Sequence, residues 1–275
     1  MVIGIELVAF VAALLAGGFG ALVGVGGGLI IVPLLVALGI ELHTAIGVSL
    51  LGVISVSTAG SVPYLKHGFV NVRLGLTLLV ATATGGIVGS YVAGLLDAQT
   101  LSAIFGVVLV IVAGQMLRAR SRPPAEVVGE PAGLDIDANY VEPTTGETIE
   151  YRATNVGVAT FLSLFAGGIS GLLGVGGGIV NVPTMNVLMR VPIRVATATS
   201  TFMLGATAAA GAVLYLARGQ IDGLLAAAVV VGVLAGATVA ARLSRRLPRE
   251  LLSALFVVVA TVFAAQMLLR AFGLI

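Results

Sequence analysis

LVGVGGGLIIVP at residues 22–33 and LLGVGGGIVNVP at residues 172–183 are two copies of one segment, 150 positions apart. After one inserted residue the correspondence runs on at 151. Ser49 then meets Ser200, Tyr64 meets Tyr215, Gly68 meets Gly219, Phe105 meets Phe256, and Gln115, Met116 and Leu117 meet Gln266, Met267 and Leu268. The chain is therefore a duplication. Its repeats are residues 1–118 and 153–275, joined by a linker at 119–152 that holds Pro123, Pro124, Pro131, Pro143 and most of the acidic side chains. Such a composition does not stay in hydrocarbon.

Everything around the two copies is apolar. Hydrophobic residues make up 59% of the 275 positions and charged residues 9%, against about 25% charged in a soluble domain. A bilayer is the solvent such a chain requires, and helices of about 20 residues span it. Within each repeat one long apolar stretch, residues 3–38 or 153–189, is interrupted by GVGGG. Three simpler spans follow, near 44–63, 70–95 and 100–117, then near 195–216, 221–241 and 250–269. A straight helix over the interrupted stretch would reach roughly 54 Å, well beyond a bilayer, so the chain is expected to bend or fold back at the glycines. The segment from Met1 to Phe19 has no basic start and is read as a retained span. In the linker, residues 139–151 alternate about Thr145 and Gly146, a pattern that fits a small hairpin.

Loop charges bear on orientation, because Lys and Arg collect on the cytoplasmic side. After the second element the first repeat has Lys66 and Arg73, the second only Arg218 against Asp222. In the next loop the first has Asp97 and the second Arg242, Arg245, Arg246 and Arg249 against Glu250. Opposite bias at equivalent positions predicts repeats inserted in opposite orientations. Inversion needs an odd number of crossings per half. The interrupted stretch then folds as a hairpin tipped by GVGGG, the linker with Arg118, Arg120 and Arg122 is cytoplasmic, and both termini are extracytoplasmic. Arg270 argues mildly the other way, and four parallel-oriented spans per half is the competing count.

Gly24, Gly26, Gly27, Gly28 and Pro33, repeated as Gly174, Gly176, Gly177, Gly178 and Pro183, form the candidate site. Irregular backbone at membrane depth survives only buried in protein or lining a wet cavity. Two such breaks at matching positions predict a solute site between them, with backbone N–H groups facing an anion. The competing use of the glycines is tight helix crossing. Ser49, Asn181, Thr199, Ser200 and Thr201 adjoin the candidate site, and Ser55, Thr197 and Asn186 lie nearby, although interhelical bonding also accounts for membrane Ser and Thr. Gln115 and Gln266 either cap helix contacts or line a vestibule. Glu41, His43, Arg190 and Arg194 read as topology signals or as guidance for an anion.

Several classes are disfavoured. The spans carry almost no ionisable residue, against a carboxylate proton relay, a voltage sensor or a cation channel with acidic rings. With no Cys and two His, no metal site or cofactor is expected. GVGGG lacks the GxGxxG spacing and preceding strand of a dinucleotide fingerprint, and no Walker lysine, nucleophile elbow or HExxH occurs, so an enzyme is not expected.

GVGGGLIIVP and GVGGGIVNVP, with the ATATST run after the second copy, resemble the TauE/SafE sulfite exporter family, also called the toluene sulfonate uptake permeases. The resemblance covers both repeats and not the linker. It implies a secondary transporter of small sulfur-containing or organic anions such as sulfite, sulfonates or sulfoacetate. The expected protein is thus an all-α, multi-pass protein of the cell membrane. Its partners are a small anionic solute and lipid, with no nucleic acid, and homo-oligomerisation is left open. An anion channel of the same architecture and a non-transporting scaffold are the alternatives.

Overall fold

The computed structural model describes residues 2–23, 26–119, 136–141, 147–243 and 249–274. Gly24, the four linker prolines, the Thr145–Gly146 turn, Arg120, Arg122, Arg245 and Arg246 lie outside them. The first repeat comprises α1 (Val2–Val23), α2 (Gly28–Ala37), α3 (Leu42–Lys66), α4 (Val72–Ala93) and α5 (Ala98–Ala119). A hairpin of β1 (Ile136–Val141) and β2 (Thr148–Ala153) follows. The second repeat comprises α6 (Val156–Leu173), α7 (Gly178–Pro183) with a π-helical turn at Thr184–Leu188, α8 (Ile193–Ala217), α9 (Gly223–Leu243) and α10 (Arg249–Ala271). Among the described residues, six helices (α3, α4, α5, α6, α8 and α9) are long and apolar enough to cross a membrane. Side chains such as Val80, Phe161 and Val213 point outward and exposed, as a lipid-facing surface requires.

Helix starts follow local chemistry and the repeat. The Glu41 carboxylate accepts from the backbone of His43 and Thr44 to cap α3. Asn71 Oδ1 accepts from Leu74 N at 2.9 Å to cap α4. Its counterpart Asp222 does the same for α9, accepting from Leu224 N and Leu225 N. Such side chains satisfy N–H groups that the helix itself leaves unpaired.

Glycine sets the packing. α4 lies on α6 so closely that a Cβ on Gly85 would strike the Leu164 carbonyl, and one on Gly167 the Thr82 carbonyl. α1 lies on α9 in the same way, through Gly232 and Gly236 against Phe10 and Leu14. These two pairs are images of each other under the repeat, so each half lends its first helix to the other. α3 packs on its own counterpart α8, and the two run antiparallel: Ser57 lies against Thr201 and Gly205, while Gly47 lies against Tyr215 and Gln220. α5 packs on α10.

The linker hairpin is antiparallel, pairing Ile136 with Ala153 and Tyr140 with Ile149. It is docked on the helices. Tyr140, Tyr151 and Ala153 are buried in a cluster with Leu74, Met185 and Met203. Asn71 Nδ2 donates to the Tyr151 hydroxyl at 3.0 Å, and Thr154 N donates to Met189 O at 3.1 Å.

Candidate functional site

At both breaks the described glycines adopt left-handed backbone. Gly26 and Gly27 have φ of 84° and 74°, and Gly176 and Gly177 have 88° and 68°. An L side chain is strained there, which is the physical reason for glycine. The turns convert the interrupted stretches into helical hairpins. A Cβ at Gly27 would stand 3.4 Å from Ala16 O in α1, and one at Gly177 would stand 3.0 Å from Ala166 O in α6. α2 spans only ten residues, about 15 Å, or half a hydrocarbon core.

The two turns meet. A Cβ on Gly28 would collide with the Gly174 carbonyl oxygen and approach Val175 Cα to 3.0 Å. Ser49 Oγ donates to Gly174 O at 2.9 Å, tying α3 to the second turn. Val53 and Leu204, which are repeat counterparts, both lie against Gly26 and against Gly176, so an apolar pair from α3 and α8 touches both turns. Neither was a sequence candidate; their match at an offset of 151 was the available signal.

The remaining candidates divide. Asn181, 1% exposed on α7, has a side-chain oxygen without a hydrogen-bond partner, and its backbone N donates to Gly177 O at 3.1 Å. Ser200 is fully buried and its hydroxyl is also unpartnered. Thr199 and Thr201 spend their hydroxyls away from the turns. Thr199 Oγ1 accepts from Asn71 N at 3.0 Å, and Thr201 Oγ1 donates to Thr197 O in its own helix at 2.8 Å. Pro33 is buried within α2, its carbonyl accepting from Gln266 Nε2 at 3.2 Å, so Gln266 makes a helix contact. Pro183 is exposed where α7 passes into the π-helical turn, a transition that suits a residue with no N–H to donate. Sequence reasoning also missed Ser170, whose Cβ lies 3.5 Å from the position a Gly177 Cβ would take.

Charge sits at the ends of the helices. His43 bonds Glu41 through Nδ1 at 2.8 Å and Ala93 O through Nε2 at 3.1 Å. Partial burial works to raise the Glu41 carboxyl, but the bonds from His43 and Thr44 outweigh it and hold the group below its ordinary value. Arg218 Nη1 donates to Ser90 O at 2.8 Å at the C-terminus of α4. A cavity of about 520 Å³ lies on the linker hairpin, lined by Ala138, Asn139, Glu150, Tyr151 and Arg152, none of them in the turns.

Duplicated helical membrane proteins whose interrupted helices meet are an architecture shared by many membrane transporters. Residues 9–267 match the family described as sulfite exporter TauE/SafE, and the chain belongs to that family. It is 30% identical over 230 residues to the probable membrane transporter protein YunE of Bacillus subtilis (strain 168), covering 80% of this chain and 81% of that protein. No solved structure matches it.

Proposed function

We propose that this protein is a secondary transporter of small sulfur-containing or organic anions, with its site between the two glycine turns and its repeats inverted across the membrane. The observation that carries the reading is the meeting of the turns, Gly28 against Gly174, beside the buried and unpartnered Asn181 and Ser200. Buried polar groups are normally paired, so two orphans beside interrupted helices point to a missing partner. Neutral donors bind an anion weakly enough to release it. The antiparallel run of α3 and α8 supports inversion, because equivalent helices of inverted repeats cross the membrane in opposite senses. The family description and the name of the Bacillus protein support the solute class and the activity.

One observation favours a packing role for part of the glycine set: Gly28 and Gly174 touch backbone to backbone. Counterflow in proteoliposomes separates the readings. Saturable exchange of labelled sulfite or sulfoacetate is expected. Flux without counterflow would indicate a channel, and no flux of any sulfonate or sulfite would leave only the scaffold.

A further inference from the structure

Among the described residues, Ser170 Oγ, Asn181 Oδ1 and Ser200 Oγ are buried polar atoms with no hydrogen-bond partner, and the elements that carry them, α6, α7 and α8, pack on one another. Ser170 faces Gly177 across the helical hairpin, and Asn181 follows Gly177 by one helical turn. Ser200 holds the place on α8 that Ser49 holds on α3, and Ser49 Oγ stands 3.0 Å from where a Gly28 Cβ would be.

The first turn is different. The counterparts of Ser170 and Asn181 there are Gly20 and Ile31, which have no polar side-chain atom, and Ser49 has its hydroxyl occupied by Gly174 O. The backbone is duplicated, but among the described residues the unsatisfied polarity at the turns is confined to the second copy, the other orphaned atoms being carried by Ser61, Thr154, Ser163 and Gln220. Tight helix crossing explains Gly20, Gly27 and Gly28 and gives no reason to bury three unpaired polar side chains beside the second turn.

We infer that the second repeat alone binds the solute's oxygens, through the Ser170 hydroxyl, the Asn181 amide and the Ser200 hydroxyl, and that the first turn is a packed abutment. The assignment rests on the transport reading above and sharpens its substrate class. Three neutral donors match the three oxygens of a pyramidal SO3 group, the unit that sulfite and every sulfonate share. The substituent on sulfur is left unread. A carboxylate offers two oxygens to three donors. The Asn181 amide supplies its donor by turning Nδ2 to the place where the structure has Oδ1, since the two ends of the amide have the same shape.

The test uses the full chain in proteoliposomes, with labelled sulfite counterflow and with sulfoacetate and acetate as competitors. Ser170→Ala, Asn181→Ala and Ser200→Ala are each expected to raise the sulfite KM by roughly three- to tenfold at near-unchanged maximal rate, the loss of about one hydrogen bond. Ser170→Thr, which keeps the hydroxyl, is expected to restore it. Ser102→Ala, at a buried serine of the first repeat whose hydroxyl is paired with Ala98 O inside α5, is expected to leave KM unchanged. Sulfoacetate is expected to compete with sulfite and acetate is not. Unchanged KM in Ser170→Ala and Ser200→Ala, or an equal rise in Ser102→Ala, overturns the assignment while leaving transport intact. Absence of saturable flux in the unsubstituted protein overturns both. Should the alanine variants fold poorly, Ser170→Cys and Ser200→Cys provide a second measure in this cysteine-free chain. Protection of these thiols from a maleimide by sulfoacetate is expected, and equal labelling with and without it overturns the proposal.

Discussion

At the scale of single residues, the glycines do two separate jobs that one sequence motif conceals. Gly28 has a helical place and no room, whereas Gly157 at the start of α6 has nothing within 4 Å of where a Cβ would stand. Gly28→Ala is therefore expected to abolish folded yield and Gly157→Ala to leave it unchanged, as size-exclusion profiles in detergent will record. Valine at Gly177 would press on Ala166 O even before reaching any solute, so loss of transport there reports packing as much as blockage. A polar probe such as Asn181 discriminates better. The run Thr199, Ser200, Thr201 makes the limit of sequence reading concrete. Successive helical residues point about 100° apart, so three neighbours cannot face one site. Only the structure separates Ser200, unpartnered, from Thr199, bonded to Asn71. At Glu41 the sign of a pH effect follows from its lowered carboxyl. Its capping stabilisation is complete above the ordinary carboxylate range and is lost as pH falls through the lower folded value. Glu41→Gln is expected to flatten the fall in Tm that begins as pH drops below about 4.5, at a cost of roughly 1 kcal/mol at pH 7.

At the scale of elements, the spans and the hairpin were legible because each leaves a periodic trace: long apolar runs for helices, alternation about a turn for strands. What the hairpin touches was not. The linker composition places the segment outside the hydrocarbon and says nothing of its contacts, and Tyr140 and Tyr151 are buried against α4, the π-helical turn and α8. Its contacts form a chain from Tyr151 through Asn71 to Thr199. Buried aromatic surface of this kind carries stability, so replacing residues 124–150 by a Gly/Ser tether is expected to lower Tm by several degrees. Tyr151→Phe, which removes only the hydroxyl, is expected to cost about 1 kcal/mol. An unchanged Tm in the tethered protein would show the docking to be idle.

At the scale of the whole molecule, the duplication was legible from self-similarity alone, while the exchange of first helices between halves had no trace in either copy. Orientation is open to direct measurement. Lys66 and Ala217 are exposed at the ends of α3 and α8, at equivalent places in the two repeats. In inverted repeats, Lys66→Cys and Ala217→Cys react with an impermeant maleimide from opposite faces of the membrane. Asn139→Cys on the hairpin is expected to label from the same face as Lys66→Cys, since Phe69, just past α3, packs on Tyr140. Labelling of both repeat positions from one face would end the inverted reading.

The lending of α1 to α9 also sets a schedule for biogenesis. At about 5–20 residues per second, the ribosome takes on the order of ten to forty seconds after finishing α1 to deliver the glycine face of α9 that it packs against. α4 waits a shorter time for α6. Through that interval the nascent first half carries Gly17 and Gly18 uncovered in the bilayer, without the surface that closes over them. The membrane insertion machinery is the natural holder of such a half-built interface. An amino-terminal half produced alone, ending before α6, is accordingly expected to be degraded, and co-expression of the carboxy-terminal half is expected to restore its level, as immunoblots of membrane fractions will record.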